Sequence, residues 1–306
     1  MFKSIHDMQQ KLAVYESLAQ KEEVQSRDFL ILHNPSSCKI LDHVDKPAVL
    51  YNHTGTRELT FLFEEFMEQS SPMDEYTLRQ DREEILEQLE ELYHKPEVVV
   101  SNSRFIAEKT EEYFNRSTDH VYPPIDRKRF RPVEVPTGDY FISVQRLDWA
   151  KRVDRQVKAF KDTDERLKII GDGAKRDSVE NIARKHDNIE YLGRVSDRQL
   201  IEEMNRAQAV IQTSMMEDFG LVPIESLACG TPVIAPKEGG FRETIDDDTG
   251  ILYGNPPVAE LRTAVHDFDP DDYDPETLRE STEEYSHARF EREMRDAVAT
   301  AVDRHG

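Results

Sequence analysis

The sequence predicts an α/β protein built from two parallel-sheet domains. Three observations carry that prediction. From Asp139 onward, short β-rich runs alternate with amphipathic helical stretches. The first half repeats the alternation less regularly. A stretch with two prolines and a glycine, PVEVPTG at 132–138, separates the halves as a linker would. Strands separated by helices of this length form βαβ units, with helices on both faces of a parallel sheet.

In the first half, DFLILH (28–33), PAVLYN (47–52), EVVVSN (97–102) and HVY (120–122) read as strands. Residues 74–94 read as a long charged helix with Ile85, Leu89 and Leu92 on one face, and 103–114 as another. In the second half the strands are YFISVQ (140–145), RLKIIG (166–171), IEYLG (189–193), AVIQT (209–213), PVIA (232–235) and ILY (251–253). The helices between them fall near 153–160, 174–186, 197–206, 222–229 and 240–245. The expected domains are therefore 1–135 and 136–285. A last helix within 286–306 could pack on either. Ligands of such architectures bind beyond the carboxyl ends of the strands, often between domains.

Bulk chemistry narrows the partners. The chain has 306 residues and a net charge of −22. A polyanion of this kind repels a phosphate backbone, so nucleic acid is not an expected partner. The acidity reads first as a solubility device. Cys38 and Cys229 stand far apart without metal-site spacing, which fits free thiols in a reducing cytoplasm. No apolar run reaches the length of a membrane span, and MFKSIHDMQQ lacks the apolar core of a signal peptide.

The most informative stretch is EDFGLVPIESLACGTPVIA, residues 217–235. Pro223 suits a first helical turn and Gly230 a helix end, so a helix starts near Val222. This places Glu217 in the preceding loop and Glu225 in the first turn, beside free amides at Phe219, Gly220 and Leu221. Such an end suits an anionic ligand, and a carboxylate there can accept two sugar or ribose hydroxyls. The plain alternative is that Glu217 caps the helix and Glu225 serves its dipole. Two more loops point the same way. VQRLDWAKRVD (144–154) offers Arg146 and Lys151 beyond a strand, a pair that suits a diphosphate. IIGDGAKRD (169–177) places Gly171 and Gly173 after another strand. It is not a dinucleotide fingerprint, because Arg176 stands where the third glycine would be. Gly239 and Gly240 add a third site of close backbone approach.

Taken together, the run from Phe141 to Tyr253 resembles the donor half of retaining glycosyltransferase family 4, whose members have the GT-B fold. Glu217 and Glu225 fill that family's E-x7-E signature, and GRVSDRQL and ACGTPVIA belong to the likeness. In the first half, YNHTGTREL (51–59), SNSRFIAEKTEEYF (101–114) and VYPPID (121–126) are similar to the O-antigen mannosyltransferase branch. Gly55 stands where that branch has proline.

The resemblance implies two Rossmann-like domains facing a cleft, the N-terminal one shortened by roughly sixty to eighty residues against usual domain size. It implies that Arg146 and Lys151 bind the donor diphosphate and Glu225 the nucleotide ribose. Glu217 and the amides of Phe219 to Leu221 would hold the donor sugar, and His53 would face it from the acceptor domain. It implies retaining hexosyl transfer, with GDP-mannose the favoured donor and a UDP-hexose next. The acceptor would be a glycan or a polyprenyl-linked saccharide, with no metal and no cofactor beyond the donor itself. A cytoplasmic place follows, with peripheral membrane contact through Arg127, Lys128, Arg129 and Arg131 if the acceptor is a lipid. The shortened N-terminal domain also raises completion by a second copy or a partner chain.

Rival readings are weaker. A phosphorylase-like enzyme would need a pyridoxal phosphate lysine, and none stands out. An EF-hand at DFDPDD (267–272) fails, with Asp272 at the glycine position and Leu278 at the glutamate position. The rival from another class is a non-catalytic nucleotide-sugar-binding or scaffold subunit.

Overall fold

A computed structural model describes residues 4–54, 56–255 and 257–306. The chain forms two compact units. One comprises Met1–Tyr122 with Phe290–Gly306, and the other Pro123–Arg289.

The first unit holds a four-stranded parallel sheet in the order β1-β2-β3-β4. Its strands are β1 (Leu30–Leu32), β2 (Ala48–Asn52), β3 (Val98–Ser101) and β4 (Asp119–His120). Alternation along β2 and β3 divides the core in two. Leu32, Ala48, Leu50 and Val99 pack with helix Ile5–Ala19 and helix Pro72–Tyr93. Val49, Tyr51, Val98 and Val100 pack instead with Met294, Ala297 and Ala301 of helix His287–His305. The long helix begins two residues before its apolar stripe indicates. Ser71 accepts a hydrogen bond from the Asp74 amide (3.2 Å), and Pro72 occupies the first turn. β2 ends on a fully buried Asn52, whose amide donates to Thr110 Oγ1 (2.9 Å) while its carbonyl accepts from Tyr93 (3.2 Å). Those bonds keep a polar residue tolerable inside the core.

The second unit holds a six-stranded parallel sheet in the order β10-β9-β8-β5-β6-β7. Its strands are β5 (Tyr140–Val144), β6 (Arg166–Ile170), β7 (Ile189–Gly193), β8 (Val210–Ile211), β9 (Val233–Pro236) and β10 (Gly250–Tyr253). The chain runs outward from β5 through β6 and β7, then returns to β5's other side with β8. The order therefore reverses between β5 and β8, and a crevice opens at the carboxyl ends of such a pair.

The stretch expected as a linker is not free. The Ile125 amide donates to Tyr285 O (3.0 Å), the Val133 amide to Asn205 Oδ1 (2.9 Å) and the Gly138 amide to Arg206 O (2.7 Å). These bonds tie 125–138 to the second unit, so the division falls at Tyr122 instead of near 135. Two residues of the basic cluster, Arg127 and Arg129, are also engaged. Arg129 pairs with Asp197 (2.9 Å), and Arg127 and Arg279 each donate to the other's carbonyl (3.0 and 3.1 Å). Among the described residues, no helix is long and apolar enough to cross a membrane.

Candidate active site

The switch point assembles the site. The loop after β5 carries Arg146 and Lys151, and the loop after β8 carries Glu217 to Gly220. Because β5 and β8 are neighbours, the two loops meet. The Met215 amide donates to Ala150 O (2.8 Å), and the Thr213 hydroxyl to Lys151 O (2.8 Å). Lys151 Nζ then lies 2.5 Å from Glu217 Oε2, with only 17% and 15% of the two side chains exposed. Two residues 66 positions apart thus form a mostly buried ion pair.

Asp148, which the sequence reading passed over, organises both cations. Its Oδ2 accepts from Arg146 Nε (2.6 Å), and its Oδ1 accepts from the Lys151 amide (3.1 Å). The available signal was a carboxylate between two cations, at the three-residue spacing of a side-chain-to-backbone turn. Arg146 itself is 67% exposed, so its guanidinium faces water.

Helix Leu221–Ala228 follows Glu217. Its N-cap is Gly220 at φ 96°, and no side chain caps it. The unmet amides of its first turn and its dipole leave the end electropositive. Glu217 is set in the loop partly by glycines elsewhere. The Gly240 amide donates to Glu217 O (2.7 Å), and a Cβ on Gly239 would lie 2.6 Å from the Glu217 backbone. Phe219, 2% exposed, anchors the loop against Tyr285, with ring centroids 5.5 Å apart.

Glu225 sits one residue deeper than expected, because the helix starts at Leu221 and makes it the fifth residue, just past the first turn. It therefore lies past the reach of a first-turn dipole effect. Its side chain keeps a partly exposed surface, yet desolvation pushes its carboxyl up to about 7, against the opposing pull of Arg129. A carboxylate this poorly hydrated gains from any hydroxyl that reaches it.

Gly171 and Gly173 answer to a different need. Both have strongly positive φ, and a Cβ on Gly171 would fall 1.8 Å from Gln145 O, one on Gly173 2.6 Å from Leu147 O. Their missing side chains admit the neighbouring 145–147 backbone, whose Leu147 amide donates to Asp172 O (2.9 Å). These glycines hold the Arg146 loop in place, which accounts for them without a ligand at their Cα atoms.

His53 belongs to the first unit, immediately after β2, with its ring at the surface. Its Nε2 lies 3.0 Å from Nδ1 of His33, which follows β1. Burial, and after it the neighbouring His33, holds His53 below the usual imidazole range. Among the described residues, no group of three or more metal-ligating side chains occurs.

A family model described as Glycosyl transferases group 1 matches residues 124–286, more than half of the chain. An uncharacterized glycosyltransferase of Methanocaldococcus jannaschii is 28% identical over 61% of this chain and 54% of its own length. A GDP-mannose-dependent α-(1-6)-phosphatidylinositol dimannoside mannosyltransferase of Mycobacterium tuberculosis is 29% identical over 55% of this chain and 49% of its own length. The chain thus spans about half the length of these relatives. Among solved structures, Anabaena HepE in complex with UDP superposes with a TM-score of 0.75 at 15% identity, covering 94% of this chain and 82% of that one. Sucrose-phosphate synthase of Thermosynechococcus elongatus gives 0.73 at 20% identity, covering 97% and 76%. Those likenesses show the fold: two parallel-sheet α/β domains of GT-B type.

Proposed function

Since the chain belongs to the group 1 glycosyl transferases, we propose that it moves a hexose from a nucleotide sugar to a saccharide acceptor with retention of anomeric configuration. The observation that carries this reading is the Lys151–Glu217 pair at the β5/β8 switch point, beside the uncapped end of helix Leu221–Ala228. On this reading the Lys151 ammonium, the Arg146 guanidinium and the backbone amides of Phe219 to Leu221 bind the donor diphosphate.

Transfer breaks the bond between the sugar C1 and the donor phosphate oxygen and forms one from C1 to the acceptor oxygen on the same face. Negative charge develops on the departing nucleoside diphosphate, and the acceptor proton passes to it. Arg146, Lys151 and the amides of Phe219, Gly220 and Leu221 stabilise that charge with the chain's own groups, in place of a metal. Glu225 accepts the ribose hydroxyls, which rehydrates a carboxyl that folding has dried. Glu217, held by Lys151, receives the hydroxyls of the donor sugar. His53 serves the acceptor side of the reaction.

GDP-mannose is the first donor to test, on the strength of the mannosyltransferase relative, and UDP-glucose the second, because the HepE structure holds UDP. The acceptor is a glycan or a lipid-linked saccharide. The deciding experiment incubates purified chain with GDP-, UDP- and ADP-sugars, with and without mannosides, and follows nucleotide release. Acceptor-dependent release from one donor supports the reading. Tight donor binding with no release under any acceptor would make the chain a nucleotide-sugar-binding subunit instead.

A further inference from the structure

The first unit contains a histidine pair of which the reading above uses only His53. β1 and β2 are adjacent and parallel, with Leu32 beside Leu50 in register. Their carboxyl ends therefore lie side by side, and His33 and His53 leave from them. The two rings meet edge to edge through His33 Nδ1 and His53 Nε2, with centroids 5.3 Å apart and planes only 22° from parallel. Tyr51 packs edge-on against both, at 4.8 Å from His53 and 6.2 Å from His33. Tyr51 is itself fixed: its hydroxyl donates to Val121 O (2.9 Å) and its ring meets Phe290 at 5.6 Å. The Asn102 amide donates to the His53 carbonyl (2.8 Å), which pins the backbone.

Two imidazole nitrogens 3.0 Å apart share one proton when the pair is neutral. An N–H facing an N–H would repel, and so would two lone pairs. The proton sits either on His33 Nδ1 or on His53 Nε2. In the second arrangement both rings carry their proton on Nε2, the tautomer an isolated imidazole prefers. His53 Nδ1 is then a bare lone pair, the form that accepts a hydrogen bond from a hydroxyl.

We propose that His33 is a positioning residue for His53: its Nδ1 accepts a hydrogen bond from His53 Nε2–H, which fixes the ring and leaves His53 Nδ1 as the atom offered to a hydroxyl of the saccharide substrate. This rests on the role given to His53 above. The depressed titration of His53, caused first by burial and then by His33, agrees, since it disfavours a second proton on the His53 ring.

The test uses the full chain labelled with 15N-histidine and the variants His33→Leu and His33→Asn. Asparagine can place its carbonyl oxygen near the lost Nδ1 and accept the same hydrogen bond from His53 Nε2–H. Long-range 1H–15N spectra are expected to show His53 protonated at Nε2 alone in the parent and in H33N, and as a tautomer mixture in H33L. At saturating donor, H33L is expected to lose on the order of tenfold in kcat with donor KM unchanged, and H33N to recover most of it. A parent His53 protonated at Nδ1, or one whose ring signals ignore H33L, overturns the proposal. So does an H33N that is no better than H33L. If no donor and acceptor pair turns over, the transferase reading fails, while the spectra of the parent still decide the His33–His53 arrangement.

Discussion

Replacing Lys151 by alanine would take the ammonium away from Glu217 at a point where both side chains are mostly buried. Truncating one side of a fully buried ion pair costs about 3–5 kcal/mol, whereas an exposed pair contributes about 0–1 kcal/mol. With 17% and 15% of the side chains exposed, the pair lies near the buried end, and a loss of about 2–3 kcal/mol is expected. The loop itself should stay, because the Lys151 backbone keeps its bonds to Asp148 and Thr213. Adding Glu217→Gln to the variant removes the stranded charge, so the double variant should recover at least half of the loss. Donor binding falls separately. A charge-assisted bond to the diphosphate contributes about 1.5–3 kcal/mol, which is about 12- to 150-fold in Kd at 1.4 kcal/mol per decade. Urea unfolding measures the first effect, and calorimetry with GDP-mannose and UDP-glucose the second. A Lys151→Ala protein that is as stable as its parent and binds both donors unchanged would refute the pairing and the site built on it.

Other variants separate the remaining contributions. Glu225 has its folded-state pKa raised from 4.5 to about 7, so the folded protein holds this proton more tightly than the unfolded chain. The stability this contributes is present below about 4.5 and is lost as pH rises through about 7. Glu225→Gln should therefore gain on the parent between pH 5 and pH 8, by up to about 3 kcal/mol, in denaturant melts at the two values. Gly171→Ala would drive a Cβ to 1.8 Å from Gln145 O at a φ of 145°. A cost of about 3 kcal/mol or failure to fold is expected, and a parent-like melting temperature would contradict the contact. Arg146→Ala removes only an exposed pair with Asp148 and should change stability by less than about 0.5 kcal/mol, while weakening donor binding in the same calorimetric assay.

The strands of the second unit were legible because each is a short apolar run closed by turn residues, and 153–160 and 197–206 coincide with helices Val153–Phe160 and Asp197–Arg206. Helix Ile5–Ala19 has a weak apolar stripe, and its one strong local sign is Ser4 accepting from the Asp7 amide (3.1 Å). Helix Pro275–Ser281 was masked by the acidic run before it, although Asp274 accepts from the Thr277 amide (2.8 Å) as a capping residue should. Residues near one turn announced themselves, as Glu217 and Glu225 did. Their partners did not. That Lys151 meets Glu217 follows from β8 returning beside β5, and that Gly171 meets Gln145 follows from β6 lying on β5's other side. Strand order is a long-range property, and local pattern does not encode it.

The closing helix has a bearing on biogenesis. Residues 290–306 complete the sheet packing of the unit that also contains Met1–Tyr122, while Pro123–Arg289 forms an uninterrupted stretch. A ribosome therefore delivers everything the inserted unit requires before it delivers the lid for Val49, Tyr51, Val98 and Val100. Until that helix emerges, a valine-rich surface stands open to chaperones and to other nascent chains.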